Sequence, residues 1–131
     1  MGRPTFSSVE RNYQTSMTSV YSNTCAIRMS LALIQSDPMI KNALRAKGRK
    51  MHGKFVIPGA QDLASFLRSE WGVPDQSWSG STGKPTGNGV ICYMNIPTFS
   101  GQGHIGLWKN GASYNHDDYW AASPVWFWRL N

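Results

Sequence analysis

Cysteine and histidine are the residue types in this sequence that could carry out nucleophilic catalysis together. The chain has two cysteines, Cys25 and Cys92, and three histidines, His52, His104 and His116. A cysteine nucleophile needs a base to accept its proton, and a third group must orient that base. Cys25 directly follows Ser-Asn-Thr and begins an apolar stretch, which predicts a helix N-terminus. Because a helix N-terminus lowers the pKa of a thiol, we expect Cys25 to be the nucleophile.

His104 is the histidine that best fits the role of the base. It begins the sequence GHIGLW, and Gly101 and Gly103 before it allow another segment to approach closely. His52 instead lies in a basic segment, where neighbouring positive charge opposes formation of an imidazolium ion. We therefore expect His104 to act as general base and then as general acid.

A turn at Asn110-Gly111 predicts which residue orients His104. Asn-Gly between two strand-like stretches is a strong signal for a two-residue hairpin turn. Pairing about this turn places His104 opposite approximately position 117, and facing side chains of antiparallel strands lie about 5 Å apart. Asp117 is therefore the leading candidate for the orienting group. Three neighbouring residues remain as alternatives: Asn115, His116 and Asp118.

Further residues are candidates for stabilising the oxyanion or contacting substrate. The backbone N–H of Cys25 is one expected oxyanion donor, because the first amides of a helix have no partner within it. Tyr21 and Asn23, which are close to Cys25 in sequence, are candidates for the second oxyanion donor and for contact with substrate. Trp78 lies in a Gly/Ser/Thr/Pro-rich loop and Trp120 lies beside the acidic cluster, so either ring could contact substrate. No Cys-x-x-Cys or Cys/His cluster predicts a metal site, and no cofactor is expected.

Apolar residues recur at helical spacing in three segments. A short N-terminal helix is predicted around residues 6–13, a second helix runs from Asn23 to about Gln35, and a third follows the sequence FVIPG. The apolar residues expected to pack in these three helices are Phe6, Val9 and Tyr13, then Ile27, Leu31 and Ile34, then Ala60, Leu63, Ala64, Leu67 and Trp71.

The last third of the chain predicts strands. The nearly continuous apolar stretch 89–96 is typical of a central strand buried on both faces, with Cys92 as a core residue. GHIGLW and ASYNH flank the Asn-Gly turn, and PVWFWRL ends the chain with alternating aromatic residues. Helices followed by strands predict an α+β fold, with the N-terminal helices packed on an antiparallel β-sheet. A length of 131 residues predicts a single catalytic domain over 1–131.

Thirteen Lys and Arg residues against seven Asp and Glu residues give a formal net charge of +6, which favours polyanionic partners. Six basic residues and no acidic residue lie within 41–54. This pattern predicts a solvated face and loop or, alternatively, a docking strip for an anionic substrate. No apolar run reaches about 18 residues, so membrane insertion is not expected. The first residues also lack the apolar core of a secretory signal peptide.

In this order, the motifs resemble the fourth family of type VI secretion amidase effectors. The resemblance runs from about Asn23 to the C-terminus. It rests on NTCAIRMSLAL, GVPD after a helix, GHIGLW followed by Asn-Gly, and the aromatic C-terminal strand. It implies a papain-like (NlpC-type) cysteine peptidase fold, with the nucleophile at Cys25 and the histidine at His104. Alignment through Asn-Gly puts the family's aspartate near His116, one residue before Asp117.

The resemblance also implies a function, partners and a place of action. Members of the family are peptidoglycan amidases that cleave the stem peptide between D-glutamate and meso-diaminopimelate. They are antibacterial toxins that the type VI secretion machinery injects into rival bacteria, and a cognate immunity protein blocks the active site. For this chain we therefore expect synthesis in the cytoplasm without a signal peptide and action in the periplasm of a target bacterium.

Two alternative functions are compatible with the sequence. One is a housekeeping or phage-associated cell-wall peptidase with the same chemistry and another route of delivery. The other is a noncatalytic module that binds a polyanion or the cell wall through the segment 41–54 and Trp78. Such a module would leave the pairing of Cys25 with His104 without a purpose. For the enzyme we expect no nucleic-acid partner.

Overall fold

The computed structural model describes residues 2–15, 25–99 and 101–131. The α-helices in this part of the chain are α1 (Phe6–Thr15), α2 (Cys25–Ser36), α3 (Pro38–Lys47) and α4 (Ala60–Trp71). None of these helices combines the length and the apolar character needed to cross a membrane.

The strands form a short hairpin and a five-stranded antiparallel sheet. The hairpin consists of β1 (Arg49–Met51) and β2 (Lys54–Val56). The sheet consists of β3 (Gln76–Trp78), β4 (Gly89–Tyr93), β5 (His104–Lys109), β6 (Ala112–Ser113) and β7 (Val125–Arg129). Its strand order is β3-β7-β4-β5-β6, so β4 lies at the centre between β7 and β5. The predicted α+β arrangement is confirmed.

Burial confirms the helical spacing seen in the sequence. The three apolar residues of α1 are buried, and so are the five predicted for α4. In α2, Ile27 and Leu31 are buried and Ile34 is partly buried. The predicted start of this helix at Asn23 lies outside the described residues, and Cys25 is the first helical residue described.

Helix α3 corrects the prediction of a loop for the basic segment. Asp37 caps the helix, because its carboxylate accepts the backbone N–H of Met39 at 2.9 Å. Pro38 occupies the first turn, where its missing N–H has no cost. Ile40 and Leu44 are the residues that α3 buries. Because the buried face of α3 is so narrow, the sequence of this segment shows no clear helical pattern of apolar residues, and the helix was not predicted.

The sheet separates two hydrophobic clusters. On the face covered by the helices, alternate residues of the central strands, including Val90, Cys92 and Leu107, pack against α1, α2 and α4. On the opposite face, Tyr93 and Trp108 pack with aromatic residues from the segments that border the sheet. Strand β4 is buried at every position, as predicted for a central strand.

Two strands differ from the prediction at the sheet edges. The polar loop after α4 contributes β3, which pairs with β7 in the register Ser77 with Trp126. Strand β6 ends at Ser113, whereas the sequence predicted a strand through His116. A 3-10 turn, Tyr114–His116, replaces the end of that strand.

Candidate active site

Cys25 lies at the start of α2, against the beginning of β5. Its Sγ accepts a hydrogen bond from the backbone N–H of Ile105 at 3.4 Å, and the carbonyl oxygen of Gly103 lies 4.0 Å away. Gly103 has φ +102°, and a Cβ there would collide with the carbonyl of Tyr93. Only glycine fits this position, so the backbone that holds the Sγ atom is fixed by the residue before His104.

His104 is the first residue of β5 and pairs with Tyr93 of β4. Its ring stacks on Tyr93 with centroids 6.3 Å apart and meets the edge of Tyr119 at 5.5 Å. Gly106 lies two residues along the same face, and a Cβ there would lie 3.1 Å from His104 Nε2. The missing side chain at Gly106 therefore leaves room for the imidazole.

Asp117 reaches the same cavity as His104, although the hairpin ladder stops short of it. The last paired residues are Trp108 and Ser113, so the strand pairing that predicted a facing pair does not extend to His104. The chain instead turns through Asn115 at φ +57°. The result still places Asp117 in the cavity that Cys25 and His104 line.

The alternatives to Asp117 separate into two groups. Asn115 also lines the cavity, so it remains a candidate for contact with His104 or with substrate. His116 and Asp118 are exposed and do not line it. The 3-10 turn therefore keeps His116 itself out of the cavity.

The cavity that contains these residues has a volume of about 770 Å³. One wall is aromatic, because Tyr119 packs edge-on against Phe99 with centroids 4.9 Å apart. Tyr13 of α1 lines the cavity on another side, beside Arg28 of α2. From the sequence, Tyr13 was expected only to pack in the core, and no role was predicted for Phe99 or Tyr119. Their place in the cavity depends on contacts between distant segments.

Arg28 links α2 to α1 at the cavity wall. Its Nε donates a hydrogen bond to the carbonyl oxygen of Tyr13 at 2.9 Å. Its guanidinium carbon also lies 3.9 Å from the centroid of the Tyr13 ring, a cation–π contact. The charge of Arg28 thus stays in the cavity while its side chain is held in one place.

Gln102 links the loop before His104 to the start of α4. Its Oε1 accepts the backbone N–H of Asp62 at 2.9 Å, and its Nε2 donates to the Asp62 carboxylate at 2.9 Å. The residue before this helix is Gly59, which has no side chain to cap it. Gln102 therefore satisfies a free helix amide from a distant segment and fixes the approach of the chain to His104.

Burial shifts the pKa values of Cys25 and His104 in opposite directions. It raises the pKa of the Cys25 thiol, although amides of Ile105, Ala26 and Cys25 itself oppose this effect, and the negative charge of Asp117 raises it further. Burial lowers the pKa of His104, and Asp117 opposes that shift. The direction for Cys25 is opposite to what the helix N-terminus alone predicts. Both shifts favour the uncharged forms, a thiol at Cys25 and a neutral imidazole at His104.

This assignment predicts how the alkylation of Cys25 depends on pH. Iodoacetamide should react slowly at neutral pH and faster as the pH rises, because a raised pKa leaves less thiolate than an ordinary cysteine with a pKa of about 8.5. Well below its pKa, a thiol loses about tenfold of its thiolate for each unit of pH. The measurement is the second-order rate from about pH 5 to about pH 10, with the modified residue identified by peptide mass spectrometry.

The unfolded chain is the control for this experiment, since there Cys25 should titrate at its ordinary pKa. In the folded chain the midpoint should lie higher. A fast rate that stays constant from about pH 5 to about pH 8 would contradict the prediction, because it would reveal a stable thiolate–imidazolium pair.

The other predicted site residues lie elsewhere. Trp78 and Trp120 pack against each other with centroids 5.5 Å apart in the cluster on the far face of the sheet, and neither lines the cavity. Tyr21 and Asn23 lie outside the described residues. Cys92 is fully buried and, like Cys25, is a free thiol.

The chain is similar in sequence to one protein family and in fold to several solved structures. The family model described as Tae4, type VI secretion system (T6SS) amidase effector protein 4, matches residues 21–128. No curated protein matches the chain. The structure of the effector–immunity system Tae4/Tai4 from Salmonella typhimurium, selenomethionine variant, is similar with a TM-score of 0.78 and 21% identity. That match covers 99% of this chain and 100% of the other.

Two further solved structures have the same fold. Tae4 from Enterobacter cloacae matches with a TM-score of 0.75 and 21% identity, over 99% of this chain and 98% of that one. Tae4 from Salmonella typhimurium in complex with the immunity protein Tai4 from Enterobacter cloacae matches with a TM-score of 0.73 and 21% identity, over 98% and 100% of the two chains. The predicted papain-like (NlpC-type) fold is confirmed. Since the family model covers most of its length, the chain belongs to the type VI secretion amidase effector 4 family of peptidoglycan hydrolases.

Proposed function

We propose that this amidase effector cleaves the peptide stem of peptidoglycan between D-glutamate and meso-diaminopimelate. In this proposal Cys25 is the nucleophile, His104 is the general base and acid, and Asp117 orients His104. The observation that carries it is the shared cavity, in which these three residues from distant parts of the chain line one space. The size of the cavity, about 770 Å³, suits a peptide segment.

The reaction follows from the protonation states of the resting site. His104 takes the thiol proton as Sγ of Cys25 attacks the amide carbon, which forms a tetrahedral intermediate. The imidazolium then gives that proton to the leaving amine, and the C–N bond breaks to leave a thioester. Water attacks the thioester with His104 again as base, and the thiol is restored. The negative charge of Asp117 stabilises the imidazolium at each stage, and its attraction already opposes the fall in the pKa of His104.

One oxyanion donor is proposed for the tetrahedral intermediate. The backbone N–H of Cys25 belongs to the first turn of α2, where the amides have no carbonyl partner within the helix. An oxyanion formed on the carbon bonded to Sγ would lie close to this amide. The positive charge of Arg28 in the cavity wall adds a second source of attraction for anionic substrate groups.

We extend the proposal to partners and location. The solved relatives include Tae4 in complex with the immunity protein Tai4. By this similarity, an immunity protein encoded with this effector would bind it and close the cavity. The type VI secretion machinery would deliver the chain, and the enzyme would act on peptidoglycan in the periplasm of the target cell. Its production in the cytoplasm would then be safe, since that compartment holds no sacculus.

The test is digestion of purified Gram-negative sacculi by the full chain, followed by mass spectrometry of the released fragments. We expect fragments with a new carboxyl group on D-glutamate and a new amino group on meso-diaminopimelate. Heat-inactivated chain serves as the control. Cleavage at another amide would leave the cysteine mechanism in place but overturn the proposed bond. No cleavage of either intact or solubilised peptidoglycan by folded protein would overturn the proposed function.

A further inference from the structure

We propose that a groove between α3 and the β1–β2 hairpin binds carboxylate groups of peptidoglycan and anchors the enzyme on the sacculus. This cationic groove, defined by Lys41, Arg45 and Lys54, is separate from the cavity that contains Cys25. The inference rests on the proposed function for the identity of the polymer. It adds a second point of contact with that polymer, at which no bond is cleaved.

The shape of the groove suits a ligand with anionic groups on an apolar frame. Its volume is about 720 Å³, and its walls include the apolar side chains of Ile34 and Phe55. The three cationic side chains stand around these walls and are exposed. The groove lining contains no acidic residue. A peptide that bears carboxylates would therefore find both contact area and opposite charge.

The cations of the groove have no carboxylate partner among the described residues. Within 2–15, 25–99 and 101–131, the ion pairs involve Arg3, Lys47 and Lys109. The charges of the groove are thus not used to stabilise the fold. They are also joined by the exposed Arg49 and Lys50 of β1, which extend the positive surface along the hairpin.

A further cavity borders both the active-site cavity and Arg49 of this positive surface. It has a volume of about 510 Å³ and shares Pro58 and Asp62 with the cavity of Cys25. At its other end it is lined by Lys47 and Arg49, where α3 ends and β1 begins. A polymer whose scissile bond lies at Cys25 can therefore continue over one surface toward the positive charges.

Carboxylates are the anionic groups that peptidoglycan offers in quantity, since its stem peptides carry several that are not in amide bonds. Each is weakly held by one exposed cation, and salt screens such contacts. A sacculus presents many stem-peptide carboxylates on one continuous surface, so several weak contacts with the enzyme act together. The groove therefore favours the assembled wall over a single soluble fragment.

The test compares R45Q/K54Q with a matched control, R11Q/K84Q. Both double variants lose two positive charges, and Arg11 and Lys84 are exposed residues that line none of these three cavities. Both are made together with Cys25→Ala, so that the sacculi stay intact, and binding is measured by cosedimentation at low and high salt. We expect R45Q/K54Q to weaken binding roughly tenfold at low salt and the control to weaken it less than about threefold.

Two further arms identify the ligand. Sacculi whose carboxyl groups have been amidated should bind both double variants equally weakly. With Cys25 present, R45Q/K54Q should digest intact sacculi more slowly and cleave soluble disaccharide-peptides at the unaltered rate. Equal loss in both double variants would mean general charge only and would overturn the inference. Binding to vesicles of anionic lipid is measured in the same way. If R45Q/K54Q loses binding to these vesicles but not to sacculi, the groove binds membranes and the inference is overturned.

These outcomes are distinct from failure of the proposed function. If the chain with Cys25 cleaves neither sacculi nor soluble fragments, the amidase proposal fails, whatever the binding data show. If it cleaves both and R45Q/K54Q binds and digests sacculi as well as the control, only the anchor fails.

Discussion

Replacement of Cys25 by alanine is expected to lower the rate of stem cleavage by about 10⁴-fold or more, to the level of the control without enzyme. Removing the nucleophile of a catalytic triad removes the covalent pathway altogether, which explains an effect of this size. Alanine is the best helix former, so α2 should still begin at this position. The measurement is kcat/KM on a soluble disaccharide-peptide, with circular dichroism and thermal unfolding to verify the fold.

Cys92→Ala is the matched control for loss of a thiol. Cys92 is fully buried in β4, and its Sγ lies 3.6 Å from the carbonyl oxygen of Ala60. Its loss should lower the free energy of unfolding by about 1 kcal/mol through a small cavity and leave turnover within about twofold. A Cys25→Ala variant that keeps a tenth of the activity would overturn the assignment of the nucleophile.

Replacement of Asp117 by asparagine is expected to lower kcat/KM by about 10²- to 10⁴-fold. Asparagine keeps the shape of the side chain but removes the negative charge that stabilises imidazolium. Because Asp117 raises the pKa of His104 against the effect of burial, its loss should lower that pKa further and weaken the base. The measurement is the pH profile of kcat/KM, whose acid limb should move to lower pH in the variant.

The control for Asp117 is its neighbour in sequence. Asp118 is exposed and does not line the cavity, so Asp118→Asn should change kcat/KM by less than about twofold. Asn115→Ala tests the remaining candidate within the cavity. If Asn115→Ala abolishes cleavage and Asp117→Asn does not, the amide of Asn115 orients His104 and the present assignment is wrong.

The helices and strands with a strong pattern of apolar residues could be predicted from the sequence alone. Helices α1 and α4 and the central strand β4 bury most of one face or both, and their periodicity is visible in the residues themselves. Helix α3 was missed because Ile40 and Leu44 are its buried residues among many basic ones. Strand β3 was missed because it is short and polar, and its partner β7 lies almost 50 residues later, from Val125 to Arg129.

For the site, residue types and spacing predicted which residues could react, but not their surroundings. Cys25 and His104 could be chosen because few other residues can do this chemistry. The position of Asp117 was predicted from a ladder that ends early, and the 3-10 turn compensates for the missing pairs. The pKa of Cys25 was predicted in the wrong direction, because burial depends on tertiary packing and only the helix end is visible in the sequence.

The cavity draws on segments that are far apart along the chain. Cys25 begins α2, whereas His104 and Asp117 come some 80 and 90 residues later, and Tyr13 comes from the helix before α2. Contacts of such long range form late in folding, because chain entropy opposes them until most of the structure is in place. Cys25, His104 and Asp117 occur together only in fragments that span at least residues 25–117. Activity is therefore expected only in the finished fold, and a chain that has lost these long-range contacts should cleave no peptidoglycan.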